Sequence, residues 1–160
     1  MTKSSDKETL RSLYARPGFL LRRANQIAAA LFLDAVADHQ VTTTQFGALM
    51  VLRAEGPMDQ AALARLLRLD RSTTGLVIAN LERRGAICRS GDPKDRRRRM
   101  LSMTDAGTAL LDKVIVAAEG VPAIELSPFT AEEAREFLRL LEKFVEAFDA
   151  DAEYSSRDSD

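Results

Sequence analysis

The sequence predicts a mainly α-helical fold: a winged helix-turn-helix with a small β-hairpin wing, flanked by N- and C-terminal helices. Three observations predict it. Residues 60–67 and 71–84 read as two short amphipathic helices joined by a tight turn at Arg68-Leu69-Asp70, which is helix-turn-helix spacing. Gly85 then stops the second helix, as a glycine just past a helix end often does. Two strand-like pieces follow, 86–90 and 99–103, separated by a turn at Gly91-Asp92-Pro93 and the run Arg96, Arg97, Arg98, Arg99. A helix of this size fits a DNA major groove, and a cationic hairpin carries charge to the phosphates beside it.

The second helix has two faces. Thr74, Val77, Ile78 and Leu81 recur at i, i+3, i+4 and i+7 and form the inward stripe. Thr73, Leu76, Asn80 and Arg83 lie on the other side, where Leu76 is expected to meet a thymine methyl and Asn80 an adenine. Asp70 is the expected N-cap. Gly75 costs about 1 kcal/mol relative to alanine, and close approach to nucleic acid is a reason to carry it.

The remaining elements follow from caps and periodicity. Ser5-x-x-Glu8 is a capping-box pattern ahead of Leu10, Leu13 and Tyr14. Pro17 suits the first turn of a helix over about 18–37. That helix carries two stripes, Leu20, Ala24, Ile27, Leu31, Ala35 and Leu21, Ala28, Phe32, Val36, which implies contacts on two sides, one of them with another subunit. Thr42-x-x-Gln45 opens a helix to about Ala54, with Phe46, Leu49, Met50 and Leu52 as its apolar positions. Gly56-Pro57 breaks the chain. Asp59 caps the helix over 60–67, whose Ala62, Leu63, Leu66 and Leu67 are expected inward. Thr104 caps a helix over about 105–119, and Val121-Pro122 and Ser127-Pro128 interrupt the pattern. Thr130-x-x-Glu133 opens a last helix to about Phe148, with the stripe Ala134, Phe137, Leu138, Leu141, Phe144, Val145, Phe148. Residues 150–160 are polar and expected to be disordered.

Charge is segregated. The net charge is −1, yet residues 61–100 hold eleven bases against four acids, a net of +7, and residues 125–160 hold four bases against eleven acids, a net of −7. The basic block suits a polyanion and the acidic block stays away from it. No apolar run reaches the roughly 18 residues of a membrane span, and residues 1–18 lack the apolar middle of a signal peptide. A cytoplasmic protein is expected, and the single cysteine excludes a disulfide framework within one chain.

Residues 42–107 resemble the multiple-antibiotic-resistance regulator (MarR) family of transcription factors. The resemblance rests on QAALARLLRLDRSTTGLVIANLERRG (60–85), on the wing DPKDRRRRMLSMTDAG (92–107) and on the helix order either side, and extends over about 17–148. The opening RPGFLLRRANQIAAALF resembles regulators that respond to aromatic acids or their coenzyme A thioesters. The resemblance implies a winged helix-turn-helix lobe over 42–103, with dimerisation helices over 17–38 and 105–148. It implies a homodimeric repressor on a pseudo-palindromic DNA operator, released by a small aromatic acid or aryl-CoA effector. Carried over residue by residue, Arg97 is the minor-groove arginine and Asp95 the acid that orients it or a neighbour. Arg71, Ser72 and Thr73 contact phosphates or bases. Four consecutive arginines depart from the family pattern, but strand period places Arg97 and Arg99 on one face.

The effector pocket is expected near the helices over 17–38, 42–54 and 105–119. Arg16 and Arg23 are its candidate partners for a carboxylate or phosphate, and Phe32, Phe46 and Met50 would surround a ring, although each also fits plain core. His39 reads as a helix-end residue, and Cys88 as a small buried apolar one. His39 and Cys88 alone cannot complete a metal site. The sequence has no GxGxxG, phosphate loop or HExxH, so neither enzyme activity nor a cofactor is expected. The competing reading is a ligand-independent architectural or partner-binding DNA protein, from which an effector pocket would separate it.

Overall fold

The computed structural model describes residue 8, residues 10–91 and residues 99–155. The chain forms two compact units, Met1–Val121 and Pro122–Asp160. Within the described part of the first, α1 spans Pro17–Ala35, followed by a 3₁₀ turn at Ala37–His39. Then come α2 (Thr43–Glu55), β1 (Met58–Asp59), α3 (Gln60–Leu67), α4 (Arg71–Arg83), β2 (Ile87–Gly91), β3 (Arg99–Met103) and α5 (Asp105–Ala118). The short helix α6 is Val121–Leu126, and α7 is Ala131–Ser155 in the second unit.

The helix starts follow the sequence. Thr42 and Gln45 form a reciprocal capping box, each side chain accepting the other's backbone N–H at 3.2 Å. Asp59 accepts from the Ala62 N–H at 2.9 Å, and Thr104 Oγ1 from the Gly107 N–H at 3.0 Å. Thr130 and Glu133 form a second box, with Thr130 N donating to Glu133 Oε2 at 2.8 Å. His39 ends the 3₁₀ turn, as a helix-end residue.

The core of the first unit joins every element of the winged lobe. Leu49 and Leu52 from α2, Leu63 from α3, Val77, Ile78 and Leu81 from α4, Ile87, Leu101 and Leu111 are buried together. Each such side chain contributes about 1.5–3 kcal/mol on burial. A second cluster of Phe32, Val36, Val41 and Val114, with Phe46 and Leu110 alongside, seats the end of α1 and the 3₁₀ turn against α2 and α5.

Several expectations are corrected. The sheet has three strands in the order β1-β3-β2, all antiparallel, because Met58 and Asp59 pair with Leu101 and Met100. Two residues are too few to show strand periodicity. Leu66 is exposed: the apolar arc of α3 is wider than the side that faces the core. Cys88 is exposed, because it alternates with the buried Ile87. Residues 121–126 form a helix, since a proline in the first turn loses no intrahelical bond. Helix α7 runs to Ser155, with no glycine or proline in the segment. Gly75 faces α3: a Cβ there would lie 3.6 Å from Gln60 Nε2, an ordinary contact. Ser5 lies outside the described residues.

Gly107 carries a constraint of another kind. A Cβ at this position would stand 1.9 Å from the Ala86 carbonyl oxygen. That same oxygen accepts the Thr104 N–H at 3.0 Å and lies 3.1 Å from Thr104 Oγ1, which donates to Gly85 O at 2.6 Å. The first turn of α5 therefore sits directly on the backbone that joins α4 to β2.

Candidate nucleic-acid interface

Helix α4 is built to present one face and bury the other. Asp70 accepts from the Thr73 N–H at 2.9 Å and from Thr73 Oγ1 at 2.5 Å. These hydrogen bonds, the side-chain one first, hold its carboxyl below the ordinary carboxylate range. Thr74 is fully buried, and its hydroxyl donates to the Asp70 carbonyl at 2.8 Å, so no polar atom is left unmet on the inward stripe. On the outer side Arg71 and Ser72 are exposed at the helix start, where free backbone N–H groups favour phosphate. Leu76 is 65% exposed, which makes it available to a partner and not to its own core.

Asn80 is more constrained than its position implies. Its Nδ2 donates to the Leu76 carbonyl at 2.9 Å, and its Oδ1 accepts from Arg83. Its Nδ2 keeps one hydrogen and its Oδ1 one lone pair for a base. Thr73 likewise spends its hydroxyl proton on Asp70.

The root of the wing is defined. Strands β2 and β3 pair from Ile87–Met103 out to Gly91–Arg99, and Arg99 is exposed at the outer end. Asp95, Arg96, Arg97 and Arg98 lie outside the described residues. Two features were not read from the sequence. Arg89 pairs with Glu82 at 2.9 Å, linking β2 back to α4. Arg84, just past α4, donates to the carbonyls of His39 and Gln40, more than forty residues away. An arginine after a helix end carries no local signal for either contact.

The candidate effector residues separate into two groups. Phe32 and Phe46 meet ring to ring, centroids 5.2 Å apart, within the second cluster. Arg16 immediately precedes α1 and Arg23 lies on it, both exposed, with Arg23 donating to Gln26 at 3.0 Å, and Met50 is exposed on α2. An open surface depression lies between the 3₁₀ turn and α5, lined by His39, Asp112, Lys113, Val116 and Ala117. None of the five candidates lines it. Among the described residues no group of three or more His, Cys, Asp or Glu is placed to hold a metal ion. No described helix is long and apolar enough to cross a membrane.

Residues 41–98 match the MarR family. Over 130 residues the chain is 35% identical to the HTH-type transcriptional repressor NicR of Pseudomonas putida, covering 81% of this chain and 82% of that protein. The chain belongs to the MarR family. Two solved MarR-type structures resemble it over most of their length. The Bordetella bronchiseptica regulator BpsR, whose DNA binding is regulated by 6-hydroxynicotinic acid, superposes with a TM-score of 0.76 at 30% identity, over 82% of this chain and 94% of that one. Streptomyces coelicolor PcaV in complex with its natural ligand gives 0.76 at 32% identity, over 84% and 95%.

Proposed function

We propose that this MarR-family chain is a sequence-specific DNA-binding transcriptional regulator, acting in the cytoplasm as a homodimeric repressor that a small aromatic acid releases from its operator. The single observation that carries the reading is α4: its back is sealed into the winged-helix core while Arg71, Ser72 and Leu76 stand outward at its start and middle. Arg71, Ser72, Thr73, Leu76 and Asn80 then meet the major groove, and Asp95 and Arg96 to Arg99 form the wing contact. Two half-sites about one helical turn apart would match two such helices in a dimer.

The dimer reading is supported by the apolar residues left exposed on the single chain: Leu20 and Ile27 on α1, and Phe137 to Phe148 on α7. The aromatic-acid reading is supported by the 6-hydroxynicotinic acid dependence of BpsR and the ligand complex of PcaV. Arg16 and Arg23 are the proposed carboxylate partners, with Phe32, Phe46 and Met50 bordering the ring.

A fluorescence-anisotropy titration against the DNA upstream of the chain's own gene and its neighbours tests this. Tight binding with a steep salt dependence, about 0.9 in log K per log salt for each phosphate neutralised, is the expected result. Addition of a pyridine or benzene carboxylic acid, or its coenzyme A ester, should then release the DNA. Specific binding that no such compound relieves removes the effector assignment. Absence of specific binding at every promoter tried favours an architectural or partner-binding protein.

A further inference from the structure

Arg84 sits where the recognition helix ends and the wing begins. Its backbone N–H still bonds to the Asn80 carbonyl, and Gly85, with φ +70°, then reverses the chain so that Gly85 N reaches Glu82 O at 2.8 Å and Ala86 N reaches Leu81 O at 2.9 Å. From this fixed point the guanidinium extends away from α4. Nη1 donates to Gln40 O at 2.5 Å and Nη2 to His39 O at 2.6 Å. These are the carbonyls of the last residue of the 3₁₀ turn and of its C-cap, where C-terminal oxygens need donors. A planar fork can satisfy both at once, which an ammonium cannot do with the same geometry.

The receiving end is equally fixed. Gln40 is in the left-handed conformation, φ 51°, and the connection is pinned on both sides by the buried Val36 and Val41. Arg84 thus ties the end of α4 to the foot of α1, two elements with no shared strand or turn. In a dimer formed through α1 and α7, α1 belongs to the frame the two protomers share, and α4 is what each protomer offers to DNA.

We propose that Arg84 is a positioning residue, whose fork fixes α4 to the α1–α2 connection and so sets the separation of the two recognition helices. The inference rests on the homodimer reading above. It assigns Arg84 no contact with DNA. Displacement of α1 is passed to α4 through the carbonyls of His39 and Gln40.

Cys88 makes the test direct. It is the sole cysteine, it is exposed, and it lies in β2, four residues past Arg84. A nitroxide on Cys88 reports the distance between the two protomers by pulsed electron paramagnetic resonance, with the full-length dimer free of DNA. The wild-type distribution should be narrow, Arg84→Ala should broaden it about twofold, and Arg84→Lys should fall between. An unchanged width in Arg84→Ala overturns the proposal. Should that variant fail to fold, Arg84→Lys decides by the same comparison, and a width equal to wild type overturns it.

A second arm uses operators whose half-sites are moved by one base pair. Wild type should discriminate against the shifted site, and Arg84→Ala should lose about threefold or more of that discrimination with its salt slope unchanged. A preserved spacing preference with a salt slope reduced by about 0.9 per protomer would make Arg84 a phosphate contact and sink the inference. A wild-type chain that gives no inter-protomer distance removes the dimer reading and the proposal with it. A wild-type dimer that binds no operator removes the regulatory reading alone, and the distance measurement still judges the fork.

Discussion

In α4 the stripe Thr74, Val77, Ile78 and Leu81 is buried within its own chain, at 0–7% exposure. In α7 the stripe Phe137, Leu138, Leu141, Phe144, Val145 and Phe148 stands 37–62% exposed. Both helices show the same helical periodicity, and both begin at a side-chain cap. The difference lies in what covers them. The first stripe is closed by α2, α3 and the sheet of one chain, so its stability is intrachain. The second needs a partner, and the proposed homodimer supplies one. Periodicity identifies an apolar face but not the chain that seals it.

The comparison breaks most easily at Leu81. Leu81→Ala should lower unfolding free energy by about 2–5 kcal/mol, by the same amount at every protein concentration, as followed by urea denaturation. Phe144→Ala should do the reverse. It should leave the folded single chain nearly unaffected but weaken the dimer by about 2 kcal/mol, roughly thirtyfold in dissociation constant, as read by sedimentation. If Phe144→Ala instead shifts stability independently of concentration, α7 is sealed within its own chain and the contrast disappears.

Two smaller effects sharpen it. Gly75→Ala should stabilise by up to about 1 kcal/mol, because its Cβ meets only the flexible end of Gln60, and operator affinity should hold. A large loss of affinity there would make close approach of DNA the reason for the glycine. The acid limb is the smallest. Hydrogen bonds from Thr73 lower the Asp70 carboxyl below its ordinary value in the folded chain, and those from Thr130 lower Glu133. Each therefore contributes stability that is present above the ordinary carboxylate range and is lost as pH falls through the lowered value. Asp70→Ala should flatten part of that acid loss in thermal melts at every protein concentration. Glu133→Ala should do so while leaving the α4 contacts unchanged.

Much of this was legible because it is local. The caps at Thr42, Asp59, Asp70, Thr104 and Thr130 depend on a spacing of three residues, and the inward face of α4 on one helical period. The failures are those of range and of neighbours. The two-residue strand β1 has no period of its own and exists only because β3 lies beside it. Cys88 was misread by type, though the strand alternation around Ile87 contains the correction. The arc of Leu66 shows that an apolar side chain in a short helix need not reach the core. Asn80 occupies the outer face as expected, but its competing bonds to Leu76 and Arg83 depend on rotamers, which a sequence does not state. The link from Arg84 to His39 and Gln40 spans more than forty residues and is invisible to any local pattern.

The contact between Gly107 and the Ala86 carbonyl decides what the β2–β3 pair is anchored to. With Thr104 bonded to the same stretch of backbone, the base of the hairpin is mounted on α5 before the arginine-rich segment begins. Any side chain at position 107 would force the start of α5 away from that backbone, and the paired strands β2 and β3 would lose a support they share with α4.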